Sequence, residues 1–383
     1  MNMDAKNQYF KEIRIRYITA EKSEKSSILN EFCINCLYNR KYAIRLLHKG
    51  HKPPSKRKRK GRHSKYHSEN IINFLKHLWV ATNNICSSRL KVVIPTWLPF
   101  YQKPLSRSDK ELLLNISSRT IDRLLKPLRT SHGKLGLSTT RPGSLLKKHI
   151  PIKTNQWNEF RPGFIEADTV AHCGNSVSGQ FVYTLNIVDI ATGWTEARAL
   201  WGKGQTGVFN ALNSIKSSLP FEILGFDSDN GSEFINHYLF SFFLHQKINF
   251  TRSREYYKND NAHIEQKNWT NIRQYLGYLR FDNPDILPLL QDLFINEWPL
   301  FFNFFIPSVK IISKERVGAK LIKKHDPPKS PFQRLLDSEF VSASTKNDLS
   351  DKFVTLNPFL LQRQIVRKIN AILSLANTGT TSL

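Results

Sequence analysis

Acid is scarce in this 383-residue chain: 31 Asp+Glu stand against 57 Lys+Arg, a formal net charge of +26. Such a balance points to a polyanion, with nucleic acid ahead of an anionic membrane surface. Cysteine is scarce too. Cys33, Cys36, Cys86 and Cys173 are too few and too scattered for a disulfide framework. Cys33 and Cys36 form a C-x-x-C, but no second Cys/His pair lies at zinc-like spacing, so they read as an ordinary helical pair. Long apolar runs are missing. The most apolar stretch, LFINEWPLFFNFFIP, is interrupted by Glu297 and is too short to span a bilayer, and no apolar signal region opens the sequence. The expectation is a soluble protein of a reducing compartment. What is present in quantity is aromatic: 25 Phe and 7 Trp are ample for a packed core, and the length suggests two or three units.

The positive charge is unevenly placed. Residues 1–150 carry 32 Lys+Arg and 9 Asp+Glu, a balance of +23, which leaves 25 against 22, or +3, for residues 151–383. A basic front part that meets DNA and a near-neutral rear part with another task follow from this asymmetry. In the front, SSILNEFCINCLYNRKYAIRLLHKG has the rhythm of two helices joined by a tight turn. A helix-turn-helix over 1–54 would aim Asn39, Arg40, Lys41 and Arg45 at a DNA groove, although Asn35-Cys36-Leu37 occupies a turn where Gly or a small residue is expected. The run SKRKRKGRHSK, with Lys56, Arg57, Lys58, Arg59 and Lys60 consecutive, reads as a basic tether over 55–67 that binds through counterion release. A second helical DNA-binding region over 68–130 ends in LLLNISSRTIDRLLKPLR. There Ser117 or Ser118 caps a helix that projects Arg119, Arg123 and Lys126 while Ile121, Leu124, Leu125 and Leu128 pack. Residues 131–155, rich in Gly, Ser, Thr and Pro, read as a linker.

From residue 156 the pattern becomes α/β. RPGFIEADTV, FVYTLNIVDI and WTEARALWG are three strands of an antiparallel meander; helices then alternate with the strands EILGFDSD and INFTRS, and NDNAHIEQKNWTNIRQYLGYLR closes the series as a helix. Three carboxylates stand out by position. Asp168 ends the first strand, Asp229 follows the fourth in DSDNG, and Glu265 lies in the last helix, where Trp269, Ile272, Leu276 and Leu279 form a stripe that would turn Glu265 toward the sheet. A buried carboxylate needs neutralising. Carboxylates converging without Cys or His describe an oxygen-only site for Mg²⁺ or Mn²⁺, and two such ions suit phosphoryl transfer. Asp227 is the nearest competitor of Asp229, and Glu233 supports the turn. Separately, Asp229 could be a turn former and Glu265 a helix-dipole partner.

These residues resemble the catalytic core of DDE transposases and retroviral-type integrases. The resemblance rests on ADT at Asp168, DNGSEF at Asp229 and NDNAHIEQKN at Glu265, with 35 residues between the last two acids, and covers 156–285. TIDRLLKPLR, YNRKYAIRLL and SPFQRLL resemble one bacterial insertion-sequence subgroup. The resemblance implies an RNase H-like core over 156–285, with Asp168, Asp229 and Glu265 as catalytic metal ligands. It further implies cleavage at transposon ends and strand transfer of the 3′-OH into target DNA, by a cytoplasmic homo-oligomer on double-stranded DNA with no membrane role. His172, Asn261, Lys267 and Asn268 are candidate DNA neighbours; Trp194 and Trp269 read as core. The C-terminal region, 286–383, would serve accessory DNA binding or assembly. Two rivals are a DNA-binding regulator that keeps the fold without catalysis and a nuclease that hydrolyses without joining.

Overall fold

The computed structural model describes residues 3–49, 65–129, 159–229, 231, 233–252, 262–318 and 320–378. The basic tether Lys56, Arg57, Lys58, Arg59 and Lys60, the linker, Asn230 and Asn261 lie outside these residues. The chain forms two compact units, Met1–Ser64 and Lys65–Leu383.

The first unit holds three helices, α1 (Met3–Thr19), α2 (Lys22–Cys36) and α3 (Arg40–Lys49). Phe10, Ile13, Phe32, Cys36 and Leu47 form its core. Leu37 closes α2 in the left-handed region, φ 56° and ψ 41°, and donates its backbone N–H to Cys33 O. This is the turn where a glycine is the easier choice, because only glycine reaches that conformation without a Cβ penalty. Arg40, Lys41 and Arg45 are exposed on α3. Arg40 donates to Asn30 Oδ1, and the Arg45 guanidinium lies 5.3 Å from the centre of the Tyr42 ring.

The second unit begins with α4 (Glu69–Ala81), α5 (Ser87–Trp97), α6 (Arg107–Leu114) and α7 (Ser118–Arg129). Ser117 Oγ accepts the Thr120 N–H at 3.1 Å and so opens α7, which buries Ile121 and Leu125 and exposes Arg119, Arg123 and Lys126. These helices do not stand apart as a front module. Trp97 of α5 packs edge-on against Phe301, Phe305 and Phe359, so residues 65–129 share one core with the C-terminal helices.

The sheet follows: β1 (Phe164–Ala171), β2 (Val182–Asp189), β3 (Thr195–Trp201), helix α8 (Gln205–Ser218), β4 (Gly225–Ser228), α9 (His237–His245) and β5 (Asn249–Arg252). Its order is β3-β2-β1-β4-β5, with the meander antiparallel and β4 and β5 parallel to β1. A mixed α/β sheet of five strands, three in a meander and two reached through helices, is the arrangement expected from the pattern of residues 156–285.

Because side chains alternate across a strand, β1 divides its own sequence between two environments. Ile165 and Ala167 join Phe226, Leu185 and Ile187 against Val208 and Leu212 of α8 and Leu239 and Phe243 of α9. Glu166 and Asp168 face the other way, toward α10 (Ala262–Lys267), a π-helical turn over Asn268–Arg273 and α11 (Gln274–Leu276). Helices α12 (Ile286–Ile295) and α13 (Glu297–Phe305) then cover the edge strand β3. Asn303 of α13 exchanges two 2.9 Å hydrogen bonds with the backbone of Thr195, and Gln291 of α12 accepts the Ala199 N–H at 2.8 Å. Side-chain amides thus satisfy backbone groups that an open edge would leave for another strand. The chain continues as a two-stranded ribbon, β6 (Ile311–Val317) and β7 (Lys320–His325), and as α14 (Pro331–Asp337), α15 (Ala343–Thr355) and α16 (Pro358–Thr378). Among the described residues, no helix is long and apolar enough to cross a membrane.

Candidate active site

Asp168 and Asp229 come together because β1 and β4 are parallel neighbours. The register pairs Glu166 with Asp227 and Ala167 with Ser228, so Asp168 stands beside Asp229, the first residue past β4; Asp168 does not end its strand as expected, because β1 stays paired with β2 as far as Ala171. Both are half-buried, whereas Glu166, Asp227 and Glu233 beneath or beside them are buried. Asp168 is held from two sides. Its Oδ1 accepts the Thr169 N–H at 2.7 Å, and its Oδ2 accepts Asn268 Nδ2 at 2.7 Å. Asn268 is itself fixed by Asn186 Nδ2 of β2 at 2.8 Å. Asp229 Oδ1 accepts the Gly231 N–H at 2.9 Å. Burial raises the Asp168 carboxyl well above the usual range, and the negative charges of Asp229, Glu233 and Glu265 raise it further. Asp229 is pushed up to about 6, by burial first and by Glu233, against the Gly231 N–H and Lys203.

Glu233 completes the acid group from the far side of the turn. Thr169 Oγ1 donates to its Oε1 at 3.1 Å and Lys203 Nζ approaches at 3.4 Å, while its buried Oε2 accepts no hydrogen bond among the described residues. Gly231 is what lets the two carboxylates share this space. A Cβ there would lie 2.7 Å from Glu233 Oε2 and 2.9 Å from Asp229 Oδ1.

The stripe expected to bury Glu265 is out of phase. Glu265 is exposed, and Trp269 and Leu279 are each 41% exposed rather than core. The π-helical turn over Asn268–Arg273 inserts one residue into the helical phase, so the residue aligned with Ile272 and Leu276 is Ile264, eight positions before Ile272, and not Glu265, seven before it. Glu265 still lies within the electrostatic field of Asp168 and Glu166. Among the described residues, no three His, Cys, Asp or Glu side chains are grouped closely enough to hold a metal ion.

Other candidates are also re-sorted. His172 is fully buried, stacks on Phe281 with ring centres 4.7 Å apart and bonds Thr184 Oγ1 at 2.8 Å; burial depresses its imidazole to about 3, so it is a neutral interior ring and not a DNA contact. Asn268 serves Asp168. Trp194 is core, as expected, and packs against Phe304. Lys267 is half-buried, and burial with Arg89 and Arg334 nearby lowers its ammonium to about 7.

Glu166 is the functional neighbour that the sequence reading missed. Its Oε2 accepts the Ile264 N–H at 2.9 Å, and the His263 N–H also points to it, so it caps the helix that carries Glu265. Burial pushes Glu166 up to about 8, with Asp227 and Glu265 adding to the rise and the two N–H groups opposing it. The signal was present in FIEADT: residues two apart on a strand share a face, so Glu166 had to accompany Asp168.

The class defined by fold and site is a mixed α/β protein with a carboxylate pair where β4 ends beside the middle of its parallel neighbour β1. No family model matches the chain. An uncharacterized protein, y4rM of Sinorhizobium fredii (strain NBRC 101917 / NGR234), is 35% identical over 345 residues, covering 87% of this chain and 96% of that protein. The chain belongs to the family of y4rM. Among solved structures, the HTLV-2 integrase catalytic core domain in complex with magnesium (dimeric form) matches at a TM-score of 0.29 and 16% identity, over 39% of this chain and 91% of that one. The catalytic core domain of BIV integrase matches at 0.29 and 15%, over 46% and 95%.

Proposed function

We propose that the chain is a DDE-type transposase of RNase H-like fold. On this reading it cuts DNA at element ends and joins the 3′-OH to target DNA. The observation that carries it is the placement of Asp168, within β1, beside Asp229, the first residue past the parallel strand β4, the order that the motif resemblance requires. By its chemistry the donor set suits a hard divalent cation: carboxylate oxygens only, Asp168 and Asp229 raised first by burial and then by neighbouring acids, with a buried oxygen of Glu233 that has no donor among the described residues. Asp168 and Asp229 would hold Mg²⁺ or Mn²⁺, with Glu265 as the third ligand from the neighbouring helix. The bound cation would supply Lewis-acid stabilisation of charge on the phosphoryl group.

The protein's own residues act by placement. Asn268 and the Thr169 N–H hold both oxygens of Asp168, so its carboxylate does not swing away in the acid-rich site. The Gly231 N–H sets Asp229, and Lys203 offsets part of the charge on Glu233. The interior His172, with its imidazole depressed to about 3, does not serve as a general base. Catalysis of in-line displacement then rests on positioning and electrostatics, with water or a DNA 3′-OH as nucleophile. Exposed Arg40, Lys41 and Arg45 on α3, exposed Arg119, Arg123 and Lys126 on α7, and the tether Lys56, Arg57, Lys58, Arg59 and Lys60 supply cations for double-stranded DNA. Two element ends must be brought together, so the acting form is a homo-oligomer on DNA.

Purified protein incubated with a pre-cut element end, target plasmid and Mg²⁺ or Mn²⁺ tests the reading. The expected result is a joined product, lost by at least ~10³-fold in Asp168→Asn and Asp229→Asn with DNA binding retained. Hydrolysis without joining would identify a nuclease. Binding without either reaction would identify a regulator.

A further inference from the structure

The ribbon β6–β7 has features that its own fold does not account for. A two-stranded hairpin is marginal in water unless a face packs on something. Yet each side chain described in Ile312–Val317 and in 322–325 is exposed, including Ile312 at 68%, Val317 at 54% and Ile322 at 46%. Over residues 311–325 five basic residues, Lys314, Arg316, Lys320, Lys323 and Lys324, face one acid, Glu315. A segment that leaves apolar side chains uncovered and gathers charge of one sign is expected where a partner supplies what is missing.

The root of the ribbon, by contrast, is firmly fixed. The Lys310 N–H donates to Asp326 Oδ1 at 2.6 Å and the Asp326 N–H to Lys310 O at 3.0 Å. Ser308 and Lys329 exchange backbone hydrogen bonds of 2.9 and 3.1 Å. Arg334 pairs with Asp326 and donates to Ser308 O at 3.0 Å, and Lys310 Nζ donates to Ala191 O, in the β2–β3 turn, at 2.9 Å. The exposed strands therefore project from a base stapled to the same sheet that carries Asp168.

We propose that the β6–β7 ribbon is a duplex-DNA-binding arm that lies in a groove and sets its cations against the flanking phosphates. This rests on the DNA reading above. The dimensions agree: seven residues of strand reach about 23 Å, and a two-stranded ribbon fits a major groove ~12 Å wide. Charge decides the occupant. A second copy of the ribbon would bring five basic residues against five, whereas a polyanion neutralises them.

The test is the triple variant Arg316→Gln/Lys323→Gln/Lys324→Gln, all exposed positions, compared with the full-length chain. Binding to a labelled 30-base-pair duplex of arbitrary sequence is followed by fluorescence anisotropy from about 0.1 to 0.5 M salt. Three lost phosphate contacts should flatten the log–log salt slope by about 2.7 and weaken binding on the order of 10²-fold at 0.1 M salt. An unchanged slope overturns the proposal. So does a change of oligomeric state in light scattering with the slope intact, which would make the ribbon an interface between copies. Urea unfolding coincident with that of the parent shows that the variant is folded; Leu321→Gly, which loosens the ribbon without removing charge, should weaken binding with little change in slope. If the parent joins DNA ends but the variant keeps its slope, the arm is wrong and the transposase reading stands. If the parent fails to bind duplex at any salt, both fall.

Discussion

Replacing Glu166 with glutamine separates the two things this buried carboxylate does. The amide oxygen still accepts the Ile264 N–H, which Glu166 receives at 2.9 Å, but the side chain no longer titrates. In the folded protein Glu166 is raised from 4.5 to about 8. Between these values the folded state holds a proton that the unfolded state has released, so unfolding becomes easier as pH rises. The contribution is present in full below about 4.5 and is lost progressively up to about 8. At 1.36 kcal/mol per unit the whole span is about 5 kcal/mol, of which about 4 falls between pH 5 and pH 8. Asp229 and Asp189, each raised to about 6, and Glu196, raised to about 7, slope the same way but are common to both proteins. The difference between parent and Glu166→Gln therefore isolates one group.

All 7 Trp lie at or beyond position 79, so their fluorescence reports the second unit alone. Urea midpoints read by that signal at pH 5 and pH 8, with divalent cations chelated, should show Glu166→Gln gaining on the parent by up to ~4 kcal/mol. A difference that stays constant with pH would refute the reasoning. Glu166→Leu, which leaves the Ile264 N–H without its acceptor, should cost about 1–3 kcal/mol at both pH values and slow DNA joining, because the helix with Glu265 loses its anchor.

Gly231→Ala should reduce joining at least ~10-fold and cost about 1–3 kcal/mol in urea unfolding, since the new methyl lies 2.7 Å from Glu233 Oε2, whereas Gly204→Ala, with nothing within 4 Å, should leave joining unchanged. Mg²⁺ at ten to a hundred times its dissociation constant should stabilise the parent by about 1.4–2.7 kcal/mol in the same unfolding assay; Asp229→Asn should lose most of that gain, and equal gains in both proteins would remove Asp229 from the metal site. Asn303→Leu deprives both backbone groups of Thr195 of partners and should lower stability by about 2–4 kcal/mol without altering the first unit, read as an unchanged α1–α3 hydrogen-exchange pattern.

What could be read from the sequence and what could not divide along a physical line. The five strands were legible because period-two alternation is a local property, and FIEADTV shows it plainly. The pairing of Asp168 with Asp229 was legible through the motifs, and the parallel register then follows from helix-linked crossovers. The burial state of Glu265 was not legible, because one inserted residue in a π turn rotates everything before it by about 100° relative to a straight helix. No local pattern announces that turn; it is held by tertiary contacts, among them the two buried positions Asn271 and Ile272 and the bond from Asn268 to Asp168. The same turn gives the site its logic. An unbroken helix would have buried Glu265 at the Ile264 position, where the backbone N–H of residue 264 now binds Glu166. The π turn instead puts an apolar side chain on the core, an amide on Asp168 and the third acid in the open. On the reading proposed above, it can there approach a cation and a DNA strand without the standing cost of a fourth carboxylate beside Asp168, Asp229 and Glu233.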